Sequence, residues 1–324
     1  FVPVLYSNGV REAIAPECIY LCGSSTEYVV VGAYDVASGT MEAQTLLGSG
    51  DQVYMSASSL YVLGSEWYDE AEPSYTESVY TVTKHRSGSK TGIYRFALDG
   101  ALRLAAEGSV PGYVDSQFSA DEYQGNLRVA TTVPGERDSN DLYVLNNELS
   151  VIGSVTGFAR NESIKAVRYV GDTAYVITYE QTDPLFVIDL SDPTNPMILG
   201  EAKISGFSTM LVPIDDNTLL GLGYHPSDGT FSDMEVQDGF KLVLFDVSDK
   251  LNPRVLDTMI YEECSSEVQY DPKALVYNPD RGDYIVPLNY YHPGEYDSES
   301  GEYRYEDEYY GGALDFRIQD NRLV

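Results

Sequence analysis

The chain has 324 residues, of which 43% are apolar and 12% aromatic. That composition supports a folded core and excludes a disordered chain, a collagen-like repeat and a small disulfide scaffold. Lys and Arg number 20 against 51 Asp and Glu, so the formal net charge is −31. Because so acidic a surface repels phosphate and anionic lipid, we expect no nucleic-acid partner. We expect no membrane insertion either, since the apolar runs fall short of the ~20 residues that a membrane helix needs.

The N-terminal segment, residues 1–27, is loop-like. It begins at Phe1 without a charged-then-apolar leader, which is typical of a mature or trimmed product. Cys18 and Cys22 lie close enough in sequence for a local disulfide, and two free thiols are the alternative. Two alternating strands follow at residues 28–36 and 41–47. These are the last two strands of a longer repeat unit, so either residues 1–5 supply a further edge strand or blade strands are missing upstream.

A strand-then-turn pattern recurs along the chain. Residues 186–196 and 244–253 are the closest copies, each an alternating strand that runs into a turn of Asp, Asn and Pro. Asx side chains bond their own backbone two residues on and Pro fixes φ, so this composition ends a strand. Weaker copies occur at residues 31–39, 94–100, 142–147 and 313–320.

Each unit also has a hairpin upstream of that pattern. Residues 166–178 form two strands joined by a Gly-Asp turn, and similar hairpins recur at residues 53–63, 210–222 and 274–286. Four antiparallel strands repeated at about 40–70 residues predict an all-β fold, a β-propeller. A β-sandwich would not explain the recurring order.

We therefore expect one propeller domain over residues 1–324 that forms a monomer and lacks N-terminal blade strands. About six blades are visible, and the intact protein would hold about six to eight. Their expected boundaries are residues 1–49, 50–110, 111–156, 157–204, 205–261 and 262–324.

Several segments carry a family resemblance: residues 117–123, 127–132, 167–176, 181–193, 206–208 and 244–249. Over residues 28–324 the chain resembles the secreted β-propeller domain family of bacteria and archaea, a distant relative of WD repeats. The resemblance implies an extracellular or cell-surface protein and brings no catalytic residues with it. Family members carry further blades upstream, and where they tend to read Asp-His-Lys-Ala this chain has Asp271, Pro272, Lys273 and Ala274.

The connections between the second and third strands of each unit vary most in length. They span residues 65–91, 133–140, 180–183, 225–239 and 289–311, and insertions collected on one face are typical of a binding face. Tyr and Trp suit sugar rings and protein hot spots, and carboxylates attract basic groups. The alternative is a solvated acidic loop whose tyrosines pack on their own blade. The candidate ligand-binding residues are Trp67, Tyr68, Tyr75, Tyr290, Tyr291, Tyr303, Tyr305, Glu306 and Asp307.

Other polar residues fit a structural role as well as a functional one. Arg128, Arg168 and Lys273 fall on candidate inner strands, where they either line a central channel or form buried pairs with acids such as Asp172. The Asp-rich turns at residues 189–195 and 246–252 could wrap Ca²⁺, although turn formation alone explains them. We predict no metal site and no cofactor, with Ca²⁺ as the one candidate.

The predicted function is a non-catalytic extracellular binding or scaffolding propeller that takes a protein or glycan at the cell surface. The alternative is a polysaccharide hydrolase or lyase that uses the loop carboxylates. A purely architectural domain is a third hypothesis. No Gly-x-Ser-x-Gly, His-Glu-x-x-His or phosphate-loop motif occurs, so we expect no enzyme.

Overall fold

The computed structural model describes residues 2–7, 9–22, 27–71, 75–77, 80–82, 85–179, 183–204, 206–225, 239–292, 296–297, 302–303 and 308–324. The chain divides into two compact units. The first holds Phe1–Asn161 with Asp192–Pro196, and the second holds Glu162–Ser191 with Met197–Val324. Apart from strands, the described residues form 3-10 turns at Pro16–Cys18, Gln117–Ser119, Glu267–Gln269 and Pro272–Ala274. None of these helices is long or apolar enough to cross a membrane. The all-β prediction is confirmed.

The first unit opens with short strands that the sequence does not reveal. Its first strands are β1 (Val4–Ser7), β2 (Val10–Ala13), β3 (Ile19–Leu21), β4 (Tyr28–Asp35) and β5 (Thr40–Leu47). Strand β1 pairs with β2, while β3 adds to β5 in parallel and β4 pairs with β5 on its other side. The loop-like prediction for residues 1–27 is therefore wrong. Strand β2 is exposed at every residue, and β3 forms only by pairing with the distant strand β5, so neither shows an alternating apolar pattern in the sequence.

Two four-stranded antiparallel sheets complete the first unit. One is ordered β11-β10-β7-β6, the other β12-β13-β14-β15, and β8 pairs with β9. Their bounds are β6 (Gln52–Met55), β7 (Ser59–Ala71), β8 (Tyr75–Glu77), β9 (Tyr80–Val82), β10 (His85–Leu98), β11 (Leu102–Pro111), β12 (Ala120–Tyr123), β13 (Asn126–Val133), β14 (Ser139–Leu145) and β15 (Val151–Phe158).

The second unit repeats this arrangement. Strands β16–β19 and β20–β23 form four-stranded sheets in chain order, β24, β25, β26, β29 and β30 form a five-stranded sheet, and β27 pairs with β28. The bounds are β16 (Ser163–Val170), β17 (Thr173–Tyr179), β18 (Asp183–Asp189), β19 (Met197–Ile204), β20 (Phe207–Asp215), β21 (Thr218–His225), β22 (Gly239–Asp246), β23 (Arg254–Tyr261), β24 (Cys264–Ser265), β25 (Val276–Asn278), β26 (Asp283–His292), β27 (Tyr296–Asp297), β28 (Glu302–Tyr303), β29 (Glu308–Gln319) and β30 (Arg322–Leu323). How the chain divides into blades stays a prediction.

The cores lie between successive sheets of a unit. In the first unit, Tyr61 and Ile93 of one four-stranded sheet pack with Val129 and Leu145 of the next. In the second unit, Ile177 and Phe245 share a core in the same way. Strands sandwiched between two sheets are buried on both faces, and β17 is buried along its whole length.

Two connections predicted as loops are instead long hairpin arms. Strands β7 and β10 stay paired from Ser59 opposite Ala97 out to Ala71 opposite His85. Strands β26 and β29 stay paired out to His292 opposite Glu308. Because Tyr and Thr favour strands, the antiparallel pairing continues beyond the core, and these segments form extended β-hairpins. Residues 226–238 of another predicted loop lie outside the described residues.

Candidate functional site

A pocket of about 670 Å³ lies at the base of the second arm, within the second unit. It opens where β23 ends, β24 begins and the β26–β29 arm leaves the sheet. It is lined by Ile260, Tyr261, Glu262, Cys264, Leu288, Tyr290, Tyr310, Gly311, Gly312 and Ala313. Its volume falls in the range of small-ligand sites, roughly 300–1,000 Å³.

Strand register brings the lining residues together. Tyr290 pairs with Cys264 on one side and with Tyr310 on the other, so one row crosses three strands. Leu288 pairs with Gly312 in the next row on the same face. Directly opposed residues of antiparallel strands carry their side chains on the same face with Cβ atoms about 5 Å apart. The two tyrosines therefore stand side by side over a floor of Leu288 and Gly312.

The glycine in that floor is not required by the backbone. A Cβ added at Gly312 would meet no atom within 4 Å, and a Cβ at Gly311 would approach nothing nearer than the Asn289 side chain at 3.9 Å. Neither glycine has a positive φ. Glycine inside a strand costs stability and often marks the close approach of a ligand. Here it leaves the floor of the pocket open.

Carboxylates fix the tyrosine hydroxyls. Tyr290 donates to Glu263 Oε2 at 3.1 Å, and Tyr310 donates to Glu308 Oε2 at 2.6 Å. The hydrogen bond to Glu263 raises the pKa of Tyr290, and the bond to Glu308 raises the pKa of Tyr310. The turn at Glu262 and Glu263 is held because Tyr291 N–H donates to the Glu263 carbonyl at 3.1 Å.

Among the described residues that line the pocket there is one carboxylate, Glu262, and no Lys or Arg. Burial raises the pKa of the Cys264 thiol, so this side chain acts as an apolar wall. Tyr290 is 38% exposed and Tyr310 is 57% exposed, so both rings can be reached from solvent. The arrangement offers aromatic faces, an apolar floor and negative charge.

The structure places the predicted ligand-binding residues that it describes on strands of both units. Tyr290 lines the pocket, whereas Tyr291 lies on the other face of β26 with its ring 4.9 Å from that of Tyr309. Trp67 is exposed and Tyr68 half-buried on β7 of the first unit. Tyr75 and Tyr303 fall on β8 and β28, and Tyr305, Glu306 and Asp307 lie outside the described residues.

Sequence reasoning missed part of the pocket. Tyr261 ends β23 and Glu262 follows it in a turn, while Tyr310 and Gly312 lie about fifty residues further on, and only the strand register joins them. A Gly-Gly pair within a Tyr-rich strand was the available signal. The predicted connection at residues 289–311 ends at the first glycine of this pair.

The three predicted channel residues have different surroundings. Arg128 is buried on β13, bonds Asp121 through Nε at 3.0 Å and stacks over the Tyr123 ring at 4.7 Å. Arg168 is half-buried on β16, and its Nε has no hydrogen-bond partner among the described residues. The placement of Lys273 on an inner strand is wrong. It lies exposed in the 3-10 turn Pro272–Ala274, because Pro272 has no N–H for a ladder and the Asp271 side chain caps the turn.

The Asp-rich turns are closed by their own side chains. Asp189 and Asp246 each accept the N–H two residues on at 3.0 Å. Asp192 and Asp249 do the same at 2.9 and 3.1 Å. Within the described ranges, no cluster of His, Cys, Asp or Glu has the geometry to hold a metal ion. The three cysteines carry no disulfide, so the thiols of Cys18 and Cys22 are free.

Successive sheets packed face to face within each unit, four of them four-stranded and antiparallel in the described part of the chain, together with an aromatic pocket at a hairpin arm, define a β-propeller module. The family model of the beta propeller domain matches residues 1–323, and the chain belongs to that family. The resemblance inferred from sequence and the predicted fold class are thereby confirmed.

Two archaeal relatives are similar to this chain. An uncharacterised protein of Archaeoglobus fulgidus is 39% identical over 257 residues, which cover 78% of this chain and 38% of that protein. An uncharacterised protein of Methanocaldococcus jannaschii is 43% identical over 171 residues, which cover 52% of this chain and 26% of that protein. The chain therefore spans well under half the length of these relatives.

A chain in a solved Saccharomyces cerevisiae assembly of Dbp5 with Nup159 and Gle1 aligns weakly with this one. The match covers 94% of this chain and 69% of that one, with 12% sequence identity and a TM-score of 0.38. A likeness this weak carries no argument about function.

Proposed function

We propose that this propeller is a non-catalytic, extracellular binding or scaffolding module whose ligand, a surface protein or glycan, occupies the pocket at the base of the β26–β29 arm. The carrying observation is the pair Tyr290 and Tyr310, held side by side and exposed over an apolar floor. Tyr presents a flat apolar face with a polar edge, which suits both protein hot spots and sugar rings.

The charge and the family support the extracellular setting. The net charge of −31 disfavours nucleic acid and anionic membrane surfaces as partners. The resemblance to secreted propellers favours a role outside the cell. The described polar groups at the pocket favour binding over turnover, since the neighbouring carboxylates Glu263 and Glu308 already accept hydrogen bonds from its tyrosine hydroxyls.

A thermal-shift screen against soluble cell-surface glycans and a basic protein tests the proposal. A ligand at about 100 times its Kd stabilises the folded state by about 2.7 kcal/mol. We expect at least one ligand to raise the Tm of the wild-type chain and to lose its effect in Tyr290→Ala and Tyr310→Ala. Tyr309→Ala is the matched control, because Tyr309 is 75% exposed on the opposite face of the same strand.

Two results would contradict the proposal. An identical ligand response in Tyr309→Ala and Tyr310→Ala would place binding elsewhere. Turnover of a glycan by the purified chain, abolished by a single carboxylate substitution, would favour the hydrolase or lyase alternative.

A further inference from the structure

We infer that the pocket receives the cationic side chain of a lysine or arginine presented by a basic partner protein. This inference rests on the proposed function and adds to it the chemistry of the ligand. It follows from three features of the pocket: the state of its hydroxyls, its charge and its open floor.

The tyrosine hydroxyls already donate their protons. Tyr290 donates to Glu263 and Tyr310 donates to Glu308, so each hydroxyl has used its proton and offers a ligand only acceptor lone pairs. A hydroxyl that donates to a carboxylate makes its ring more electron-rich, and an electron-rich face attracts ammonium and guanidinium groups. An incoming N–H donor can also bond the free lone pairs.

The charge around the pocket has one sign. Glu262 lines it, Glu263 and Glu308 anchor its tyrosines, and its lining holds no Lys or Arg in the part of the chain that the structure describes. The formal charge of −31 extends the same sign over the chain and would steer a basic partner toward it. A second copy of this chain would meet like charge, so it is a poor occupant.

The pocket has room for the long aliphatic part of a Lys or Arg side chain behind its charged group. Ile260 and Ala313 line the pocket beside the Leu288 floor, and these residues offer apolar surface to the methylene groups of Lys or Arg. Open space above Gly312 admits this aliphatic part. A neutral glycan is less well matched, because its hydroxyls need donors as well as acceptors and the described polar side chains of the pocket offer chiefly acceptors.

The experiment must separate pocket binding from the general attraction of a polyanion for cations. We would titrate the full chain with a short peptide of alternating Lys and Gly, with its fully acetylated counterpart, and with neutral cell-wall oligosaccharides, in about 0.15 M salt to screen distant charges. We expect the Lys peptide to bind, and we expect the acetylated peptide to bind at least tenfold more weakly.

Paired variants then locate the site. Tyr310→Ala should weaken Lys-peptide binding about tenfold, as cation–π contacts of 1–2 kcal/mol imply, and Tyr309→Ala should leave it within about twofold. Glu262→Gln should weaken Lys-peptide binding about threefold. Glu148→Gln makes the same change of charge at an exposed residue of the first unit and should leave the affinity unchanged. Gly312→Leu should abolish binding by filling the floor, and its thermal unfolding checks that it folds.

The outcomes distinguish the two proposals. Equal binding of acetylated and free peptides, or equal losses within each variant pair, overturns the cationic ligand. Oligosaccharide binding that depends on Tyr290 and Tyr310, without Lys-peptide binding, overturns the cationic ligand and leaves the binding module standing. If neither probe binds in a pocket-dependent manner, both proposals fail.

Discussion

Glu122 links two sheets of the first unit, and its replacement by Gln should destabilise that unit. The carboxylate accepts hydrogen bonds from Ser56 Oγ at 2.8 Å, Ser58 Oγ at 2.7 Å and the Tyr61 hydroxyl at 2.8 Å. Its own N–H donates to the Tyr54 hydroxyl at 2.9 Å. Four contacts thus join β12 to the β6–β7 hairpin.

The magnitude follows from the number of donors that lose a charged acceptor. A hydrogen bond to a charged group contributes about 1.5–3 kcal/mol when buried and less at a half-exposed residue. Gln keeps one carbonyl oxygen but turns an N–H₂ group toward at least one hydroxyl. We therefore expect Glu122→Gln to lose about 1–2 kcal/mol of unfolding free energy, a fall in Tm of about 1.5–3 °C for a chain of this length.

The loss should depend on pH. Burial raises the pKa of Glu122, but the hydrogen bonds from Ser58, Ser56 and Tyr61 outweigh it and hold the pKa below the ordinary value of 4.5. A carboxylate whose pKa is lower in the folded state stabilises the protein above its unfolded pKa. That contribution disappears as the pH falls through the folded pKa. The wild-type advantage should therefore be full at neutral pH and shrink below about pH 4.5.

Urea unfolding of wild type, Glu122→Gln and Tyr61→Phe at neutral and acidic pH measures this. Tyr61→Phe removes one donor of three and should cost less than Glu122→Gln. Glu148→Gln controls for the change in net charge. Equal stability of Glu122→Gln and wild type at neutral pH would refute a stabilising role for these hydrogen bonds. A difference in stability that persists unchanged at about pH 3 would refute the dependence of that role on the charge of Glu122.

Three further predictions concern single residues. Asp283→Asn should lower the unfolding free energy by about 2–3 kcal/mol in urea, because this 1% exposed carboxylate pairs with two arginines. Iodoacetamide should label Cys18 of the native chain well before Cys22, whose pKa burial raises to about 11, and mass spectrometry should find this difference gone in urea. Gly312→Ala should raise Tm slightly by reducing unfolded-chain entropy, whereas Gly223→Ala should lower it, since its Cβ would clash with the Phe207 carbonyl oxygen.

The sheets could be predicted because local chemistry specifies them. The Gly171–Asp172 turn joins β16 to β17 with Val170 opposite Thr173, and Gly171 has the positive φ of +55° that this turn needs. Strand ends at Asp189 and Asp246 carry the Asx hydrogen bonds that their sequence implies. In these places the residues that make the contacts are neighbours in the chain.

Features that depend on distant partners could not be predicted. Strand β3 exists through parallel pairing of Ile19 with Thr45, which no alternation in three residues announces. The prediction of loops at the two arms is wrong because Tyr-rich, acidic segments have the composition of solvent-exposed loops. In the structure the pairing of β26 with β29 continues past Tyr290 and Tyr310. Aromatic residues could be chosen from sequence, but which of them share a face could not.

The difference between Tyr290 and Tyr291 shows which structural feature determines whether a tyrosine can contribute to the candidate site. Both are tyrosines on one strand, and both were predicted to bind ligand. The pleat sends one toward Gly312 and open space, and the other toward the ring of Tyr309. An aromatic ring that already stacks on a neighbour has less face to offer a ligand. A ring beside a glycine, with its hydroxyl bonded to a carboxylate, keeps that face available, and strand interiors tolerate the cost of glycine where an open surface serves binding.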